Sequence, residues 1–434
     1  MTSETIFIEG GRVIDPASGT DGVRTVVVRE GRIAEVGERI ERPRDARAVD
    51  ARGRWVVPGL IDLHVHLREP GQEYKETVET GTRAAVAGGF TAVCAMPNTV
   101  PVNDNTSVTE LVLARAAAAG LARVHPVGAI SKGSKGEDLA EYGELRAAGC
   151  VAVSDDGKPV ASSALMRRAL EYALVFDLPV AVHEEDLGLV GKGVMNEGPA
   201  ATRLGLKGAP AASEDVMVLR DLALAELTGG RLHVQHVSTA GSVRAVREAK
   251  RRGLRVTAEV TPHHLALTDE DVARSRYDTS FKMNPPLRSA ADVRALREAL
   301  ADGTLDCIAT DHAPHSAVEK DLEFDAAANG IVGLETAFAV CLGLVREGAL
   351  SEKRLVEAFT ASAARVFALP GGALARGAPA DVAILDPGLE WRCEPARFLS
   401  KSRNSPWKGA LLVGRCTHTF VGGRLVHELS KGER

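Results

Sequence analysis

The segment DLHVHLREPG, residues 62–71, sets His64 and His66 two positions apart in an apolar run and follows them with Arg68. Residues i and i+2 of a strand face the same side, so this spacing lets both imidazoles reach one ion. Asp62 shares their parity and is placed either to orient an imidazole from behind or simply to be buried. Further along, apolar runs end repeatedly in polar groups: Asn98, then Asp155 and Asp156, His183, His236, His263 and His264, and finally Asp311, His312 and His315. A packed core has no use for imidazoles and carboxylates gathered at strand ends. Imidazole nitrogen with carboxylate oxygen suits Zn2+, with Mn2+, Co2+ or Fe2+ as alternatives. The candidates exceed what one tetrahedral ion with an open position can use. Two ions about 3.5–4 Å apart, bridged by hydroxide, accommodate them and supply a nucleophile for hydrolysis. His233, three before His236, falls on the opposite strand face and reads as packing, and His125, His418 and His427 lie away from the run ends. Residue type alone leaves His263 and His264 open.

The elements that must position these groups are legible as eight short apolar runs: GLIDLHVHL, FTAVCAMPN, RVHPVGAI, GCVAVSDDG, LPVAVHEED, GRLHVQHVS, RVTAEVTPHH and DCIATDHAPH. Helix-length amphipathic segments alternate with them, among them SSALMRRALEYALVF and SEDVMVLRDLALAELTG, each with Ser at an expected N-cap. Eight β/α units close a TIM-like (β/α)8 barrel, in which chemistry belongs at the carboxyl ends of the strands. An open doubly wound sheet would carry a glycine-rich phosphate loop after its first strand, and none is present. Both ends of the chain read differently, as short β-branched strands with glycine turns (TIFIEGGRVID, TVVVREGRIAEVG, ADVAILDP, THTFVGGRLVHE). The expected division is therefore 1–56 and 366–434 as the two parts of a small β-sandwich domain, with the barrel over 57–365. The stretch 315–330 is long for a βα connection and reads either as a segment that closes over a ligand or as a disordered insertion without a role.

Composition narrows the function classes. The 434 residues are 45% hydrophobic, enough for a large core, and their net charge of −5 mixes 53 basic with 58 acidic residues. No basic stripe offers itself to a phosphate backbone, so nucleic acid is not an expected partner. The beginning lacks a signal-peptide pattern and no run is long enough to span a bilayer, which leads us to expect a soluble cytoplasmic protein without membrane association. Six cysteines without paired spacing read as reduced, buried thiols.

Taken together, the motifs DLHVHLREPGQE, AVCAMPNTVPV, AVSDDGKPV, AVHEED, QHVSTAGSV, VTPHHL, KMNPPLR, IATDHAPH and NGIVGLET resemble the class I bacterial dihydroorotases of the amidohydrolase superfamily. HxH marks only the superfamily, whereas HLREPG, MPNT, NPPLR and DHAPH are specific to this branch. The resemblance covers nearly the whole chain. It implies reversible interconversion of L-dihydroorotate and N-carbamoyl-L-aspartate in pyrimidine biosynthesis, by a binuclear zinc centre with a bridging hydroxide. It further implies that His64, His66 and Asp311 hold one zinc, that His183 and His236 hold the other, and that Asp156 bridges them, with Asp155 as its alternative. Asp311 would also act as general base and acid. Arg68 and Asn98 match residues that bind the substrate carboxylate, His66 doubles as a substrate contact, and Asn284 and His315 complete the pocket. Asn329 and Gly330 match the point where backbone meets the pyrimidine ring. An apolar residue commonly precedes that glycine, so Asn329 is a departure. The family does not use His263 or His264 as ligands. Hydantoinases and allantoinases share the scaffold but call for a carboxylated lysine at the fourth strand and lack the arginine after HxH. A non-catalytic relative that scaffolds aspartate transcarbamoylase would lose ligands, and this chain keeps all six. Homo-oligomerisation and binding to that transferase are compatible with the resemblance.

Overall fold

A computed structural model describes residues 5–430, so the outermost four residues of each terminal segment lie outside the description. The eight apolar runs form eight parallel strands: Leu60–Val65, Phe90–Ala95, Arg123–Gly128, Ala152–Ser154, Val180–Val182, Leu232–Val234, Val256–Val260 and Cys307–Ile308. Parallel strands need long crossovers, and these are the helices that cover the outer face. The first and last strands meet through a parallel bridge of Val65 with His312, where His66 N donates to the His312 carbonyl at 2.9 Å. That contact brings residues 64–68 beside residues 311–315.

Local signals place most helix starts. Ser162 caps Ser163–Val175 by accepting from Leu165 N. The second expected serine cap does not form. Helix Ala212–Thr228 begins two residues before a cap at Ser213 would start it, Ala211 is its uncapped start, and Ser213 donates instead to the Pro210 carbonyl at 2.7 Å. A hydroxyl can satisfy a preceding carbonyl as readily as a helical N–H, and here the turn at Pro210 takes it.

The chain ends share one connected eight-stranded sheet. Its strand Val382–Arg392 pairs antiparallel with Trp55–Pro58, which in turn lies beside Ile6–Asp15. Ile8, Val26, Val56, Ile384 and Phe420 form its own core, apart from the barrel interior. The six cysteines are all buried and free. No helix among the described residues is long and apolar enough to cross a membrane.

Candidate active site

The strand ends converge on a cavity of about 190 Å3 lined by His66, Asp156, His183, His236 and Asp311, together with Arg68, Asn98, Asn284, Asn329 and Gly330. His64, the sixth expected ligand, is wholly buried beneath it. Asp156 sits at the centre. Its Oδ1 lies 3.3 Å from His64 Nε2, 3.5 Å from His236 Nε2 and 3.8 Å from His183 Nδ1, and its Oδ2 lies 3.5 Å from His66 Nε2. Asp155 faces away and accepts the backbone N–H groups of Ile130 (2.9 Å) and Ser131 (3.1 Å) and the Ser131 hydroxyl. Of this adjacent pair, then, only Asp156 reaches the imidazoles.

Hydrogen-bond partners fix which imidazole nitrogen is available. His64 Nδ1 lies 2.8 Å from Glu259 Oε1, and His66 Nδ1 lies 2.9 Å from Asn98 Oδ1; each partner accepts the Nδ1 proton and leaves Nε2 with its lone pair toward Asp156 and Asp311. His183 is turned the other way, with Nε2 3.3 Å from Glu185 Oε2 and Nδ1 toward Asp156. Two sets of atoms then lie within 4.8 Å of one another, His64–His66–Asp156 and Asp156–His183–His236, with Asp156 common to both. His64 Nε2, the nitrogen turned toward Asp156, is buried without a hydrogen-bond partner. An orphaned buried nitrogen is costly unless something electropositive meets it, so the donor set fits two divalent cations sharing one carboxylate. Asp311 Oδ1, 3.0 Å from His66 Nε2 and 3.5 Å from His64 Nε2, borders the first set.

The electrostatics agree. Burial alone would raise the Asp156 and Asp311 carboxyls, yet His64 and its neighbouring imidazoles pull both well below the usual carboxylate range. Burial opposes charge on His64, but Asp156 and Asp311 outweigh it and raise that imidazole well above its ordinary value. The two ionised carboxylates call for positive charge, which either a protonated His64 or a cation in place of that proton supplies, the second leaving Nε2 as a lone-pair donor. Arg68, His236 and Asp311 also adopt left-handed backbone, with φ of 60°, 31° and 49°. Such conformations cost about 1–3 kcal/mol each for non-glycine residues and persist where the surroundings enforce them.

Arg68 is 8% exposed and lines the cavity. It does not pair with its sequence neighbours. Glu69 takes Arg115 and the N–H of Val78, and Glu73 takes the N–H of Gly71. Arg68 instead donates Nε to the Pro314 carbonyl at 3.2 Å, with Nη2 3.4 Å from His315 Nε2. His315 thus lies against both Arg68 and Gly330 of the cavity wall, and burial with the adjacent Arg68 charge lowers its imidazole to about 3. Asn98 also gives Nδ2 to Asp156 at 3.2 Å, and Asn284 gives Nδ2 to Glu185 at 3.2 Å. Gly330, at φ 109°, passes so close to Ala313 that an added Cβ would lie 2.6 Å from that side chain. Only glycine fits this wall.

One open reading of the sequence is decided for burial and another changes. Asp62 orients no imidazole; its carboxylate accepts the backbone N–H groups of His64 (3.1 Å) and Thr310 (3.0 Å), fixing the first strand against the eighth. His233 does more than pack, since its Nε2 meets Glu259 Oε2 at 3.1 Å. Glu259 and Glu185 are the residues that sequence reasoning missed. Glu259 had one signal, a carboxylate within the apolar run RVTAEVT. Although burial opposes it, His233 and His64 hold that carboxyl down at about 2. Replacing Glu259 by alanine removes the acceptor that meets His64 Nδ1, and is expected to weaken metal binding about 10–100-fold, measured as metal retained on dialysis against a graded chelator. His264 is engaged by Thr261 (2.8 Å) and the Pro285 carbonyl (3.0 Å), and neither it nor His263 joins the two metal-capable sets.

Residues 53–242 match the family described as Dihydro-orotase-like. The chain is 79% identical over 432 residues to a protein named dihydroorotase from Anaeromyxobacter dehalogenans, with 100% of both chains covered. It is 56% identical over 423 residues to one of the same name from Geotalea daltonii, covering 98% of this chain and 99% of that one. Among solved structures it resembles an L-hydantoinase (dihydropyrimidinase) from Arthrobacter aurescens, with a TM-score of 0.88 at 25% identity over 99% of this chain and 96% of that one.

Proposed function

This chain belongs to the dihydroorotase family, and from that premise we propose that it hydrolyses L-dihydroorotate to N-carbamoyl-L-aspartate and catalyses the reverse ring closure, with two zinc ions held by His64, His66, Asp156, His183, His236 and Asp311. One observation carries the reading beyond the family: the carboxylate shared by two imidazole sets lines the same small cavity as a buried arginine. Bound there, two divalent cations supply an acidified water at neutral pH and polarise a carbonyl oxygen. The remaining chemistry belongs to the chain. Arg68 presents parallel N–H groups to the substrate α-carboxylate, assisted by Asn98, while Asn284, Asn329 and the backbone at Gly330 bound the ring. Asp311, held ionised, takes the proton of the attacking water as the new C–O bond forms. It returns that proton to the ring nitrogen as the C–N bond breaks. In the reverse direction Asp311, again ionised, takes a proton from the carbamoyl nitrogen as the C–N bond forms on the side-chain carboxyl, and gives it to the hydroxyl that departs as water when the C–O bond breaks.

The hydantoinase-like alternative calls for a lysine at the fourth strand. That position carries Asp156, and the nearest lysine in sequence, Lys158, is exposed. The non-catalytic alternative calls for missing ligands, whereas all six side chains converge here. Every group in the reading comes from one chain, so association with further copies or with aspartate transcarbamoylase is a separate matter for sizing of the purified protein. Cytoplasmic residence belongs to the same reading and is supported by the six free thiols.

The reading is tested at Arg68. Lysine keeps the charge but loses the paired donors, so Arg68→Lys is expected to raise KM for dihydroorotate about tenfold or more with metal content unchanged. A variant that keeps KM and loses metal would make Arg68 a support of the metal ligands instead.

A further inference from the structure

The loop that follows the eighth strand is tied down by two lysines. Lys282 Nζ donates to the carbonyls of Asp325 (2.9 Å) and Ala327 (2.7 Å), and Lys320 Nζ donates to those of Ala328 (2.7 Å) and Gly330 (3.1 Å). Both lysines are buried, at 5% and 8% exposure. Backbone ties join the same two segments: Gly330 N donates to the Lys282 carbonyl at 2.8 Å and Thr279 Oγ1 to the Lys320 carbonyl at 2.6 Å. Phe324, between these ties, packs with Met195 and Val272, and its ring lies 6.0 Å from the Lys282 ammonium. Buried carbonyls without a strand partner must find donors elsewhere. An ammonium with three donors on a flexible stem can gather carbonyls that point in different directions. The four carbonyls so held lie within six residues, and the last of them belongs to the pocket wall.

We infer that Lys282 and Lys320 are positioning residues for substrate affinity, clipping the loop so that Asn329 and Gly330 stand as a fixed wall of the cavity. This rests on the reading of that cavity as the dihydroorotate site. It replaces a mobile lid, one of the two expectations from loop length, with a pre-set platform, so the clip acts on KM and leaves the proton transfers at Asp311 alone. Burial, with the charge of Lys282, lowers Lys320 to about 7, and burial lowers Lys282 as well. The charged and titratable groups that face Lys320 are Lys282, Asp278 from the preceding turn and His315; Glu319, on its own short helix, is turned toward Lys75 at 2.7 Å. As pH rises through about 7 the Lys320 ammonium becomes an amine, and its charge-assisted bonds become weaker neutral ones.

The test is steady-state kinetics of the metal-loaded enzyme on dihydroorotate, for wild type, Lys320→Met and Lys320→Arg, a pH unit either side of about 7. Below that value Lys320→Met is expected to raise KM about tenfold with kcat within about threefold and metal content unchanged. Wild-type KM should climb severalfold across the interval, whereas Lys320→Arg, charged throughout, should show no climb. An unchanged KM in Lys320→Met, or a fall in kcat at constant KM, overturns the inference. If Lys320→Met does not fold, Lys282→Met decides, since an unchanged KM there contradicts the clip. Hydrogen exchange separates the two levels of the argument. Wild type without turnover on dihydroorotate sinks the functional reading alone, whereas the clip itself fails if residues 321–330 exchange no faster in Lys320→Met than in wild type.

Discussion

Replacing Asp311 by asparagine is expected to lower kcat for dihydroorotate about a hundred- to ten-thousand-fold, the range set by loss of a positioned acid–base group. Metal content should stay near that of wild type. The geometry explains the separation. Asp311 contacts His66 and His64 at 3.0 and 3.5 Å, but both metal-capable sets are complete without it, because Asp156 serves each. An amide oxygen at the same place can still donate electrons, yet the amide cannot carry a proton from water to a leaving nitrogen. The left-handed backbone at Asp311 argues the same way, since the fold holds this residue at φ 49° where a relaxed chain would not. Metal analysis beside single-turnover kinetics checks the prediction, and wild-type-like rates in Asp311→Asn would remove Asp311 from the chemistry.

The second large effect is expected at Asp156. Asp156→Ala takes away the one carboxylate common to both imidazole sets and leaves His64, His66, His183 and His236 facing one another without compensation. Both metals should be lost together, and activity with them, by three orders of magnitude or more, on the order of a catalytic metal site's whole contribution. Its neighbour supplies the control. Asp155→Ala strips an acceptor from Ile130 N, Ser131 N and the Ser131 hydroxyl, each left buried, at a cost of about 1–3 kcal/mol per unsatisfied group. That variant should therefore melt at a lower temperature while still binding metal. Thermal unfolding and metal analysis of the pair distinguish the roles, and metal retained by Asp156→Ala would contradict them.

How much of this the amino-acid sequence revealed depended on whether the signal was local. Barrel strands buried on both faces must be apolar, so each polar residue at the end of such a run stood out, and all eight runs became strands. The two-residue spacing of His64 and His66 carries a face assignment in itself. Asp155 and Asp156, by contrast, are chemically identical and adjacent, and only the Ile130–Ser131 backbone reveals which of them turns away. Glu259 supports His64 across 195 positions of sequence, and no spacing rule reaches that far. His315 stands at the expected strand end, but that its Nε2 meets Arg68 Nη2 at 3.4 Å is set by the fold and not by its place in the run. The loop over 315–330 looked free because its tethers include lysines, which on composition alone read as surface residues.

The central claim is a metal-dependent active site that selects dihydroorotate over other cyclic amides. The most direct measurement compares turnover of dihydroorotate, hydantoin and allantoin by the purified protein, as prepared, after chelation, and after zinc is restored. We predict turnover of dihydroorotate alone, lost with the metal and recovered with it. Hydrolysis of hydantoin or allantoin at a comparable rate, or activity on dihydroorotate that survives removal of the metal, would contradict the account.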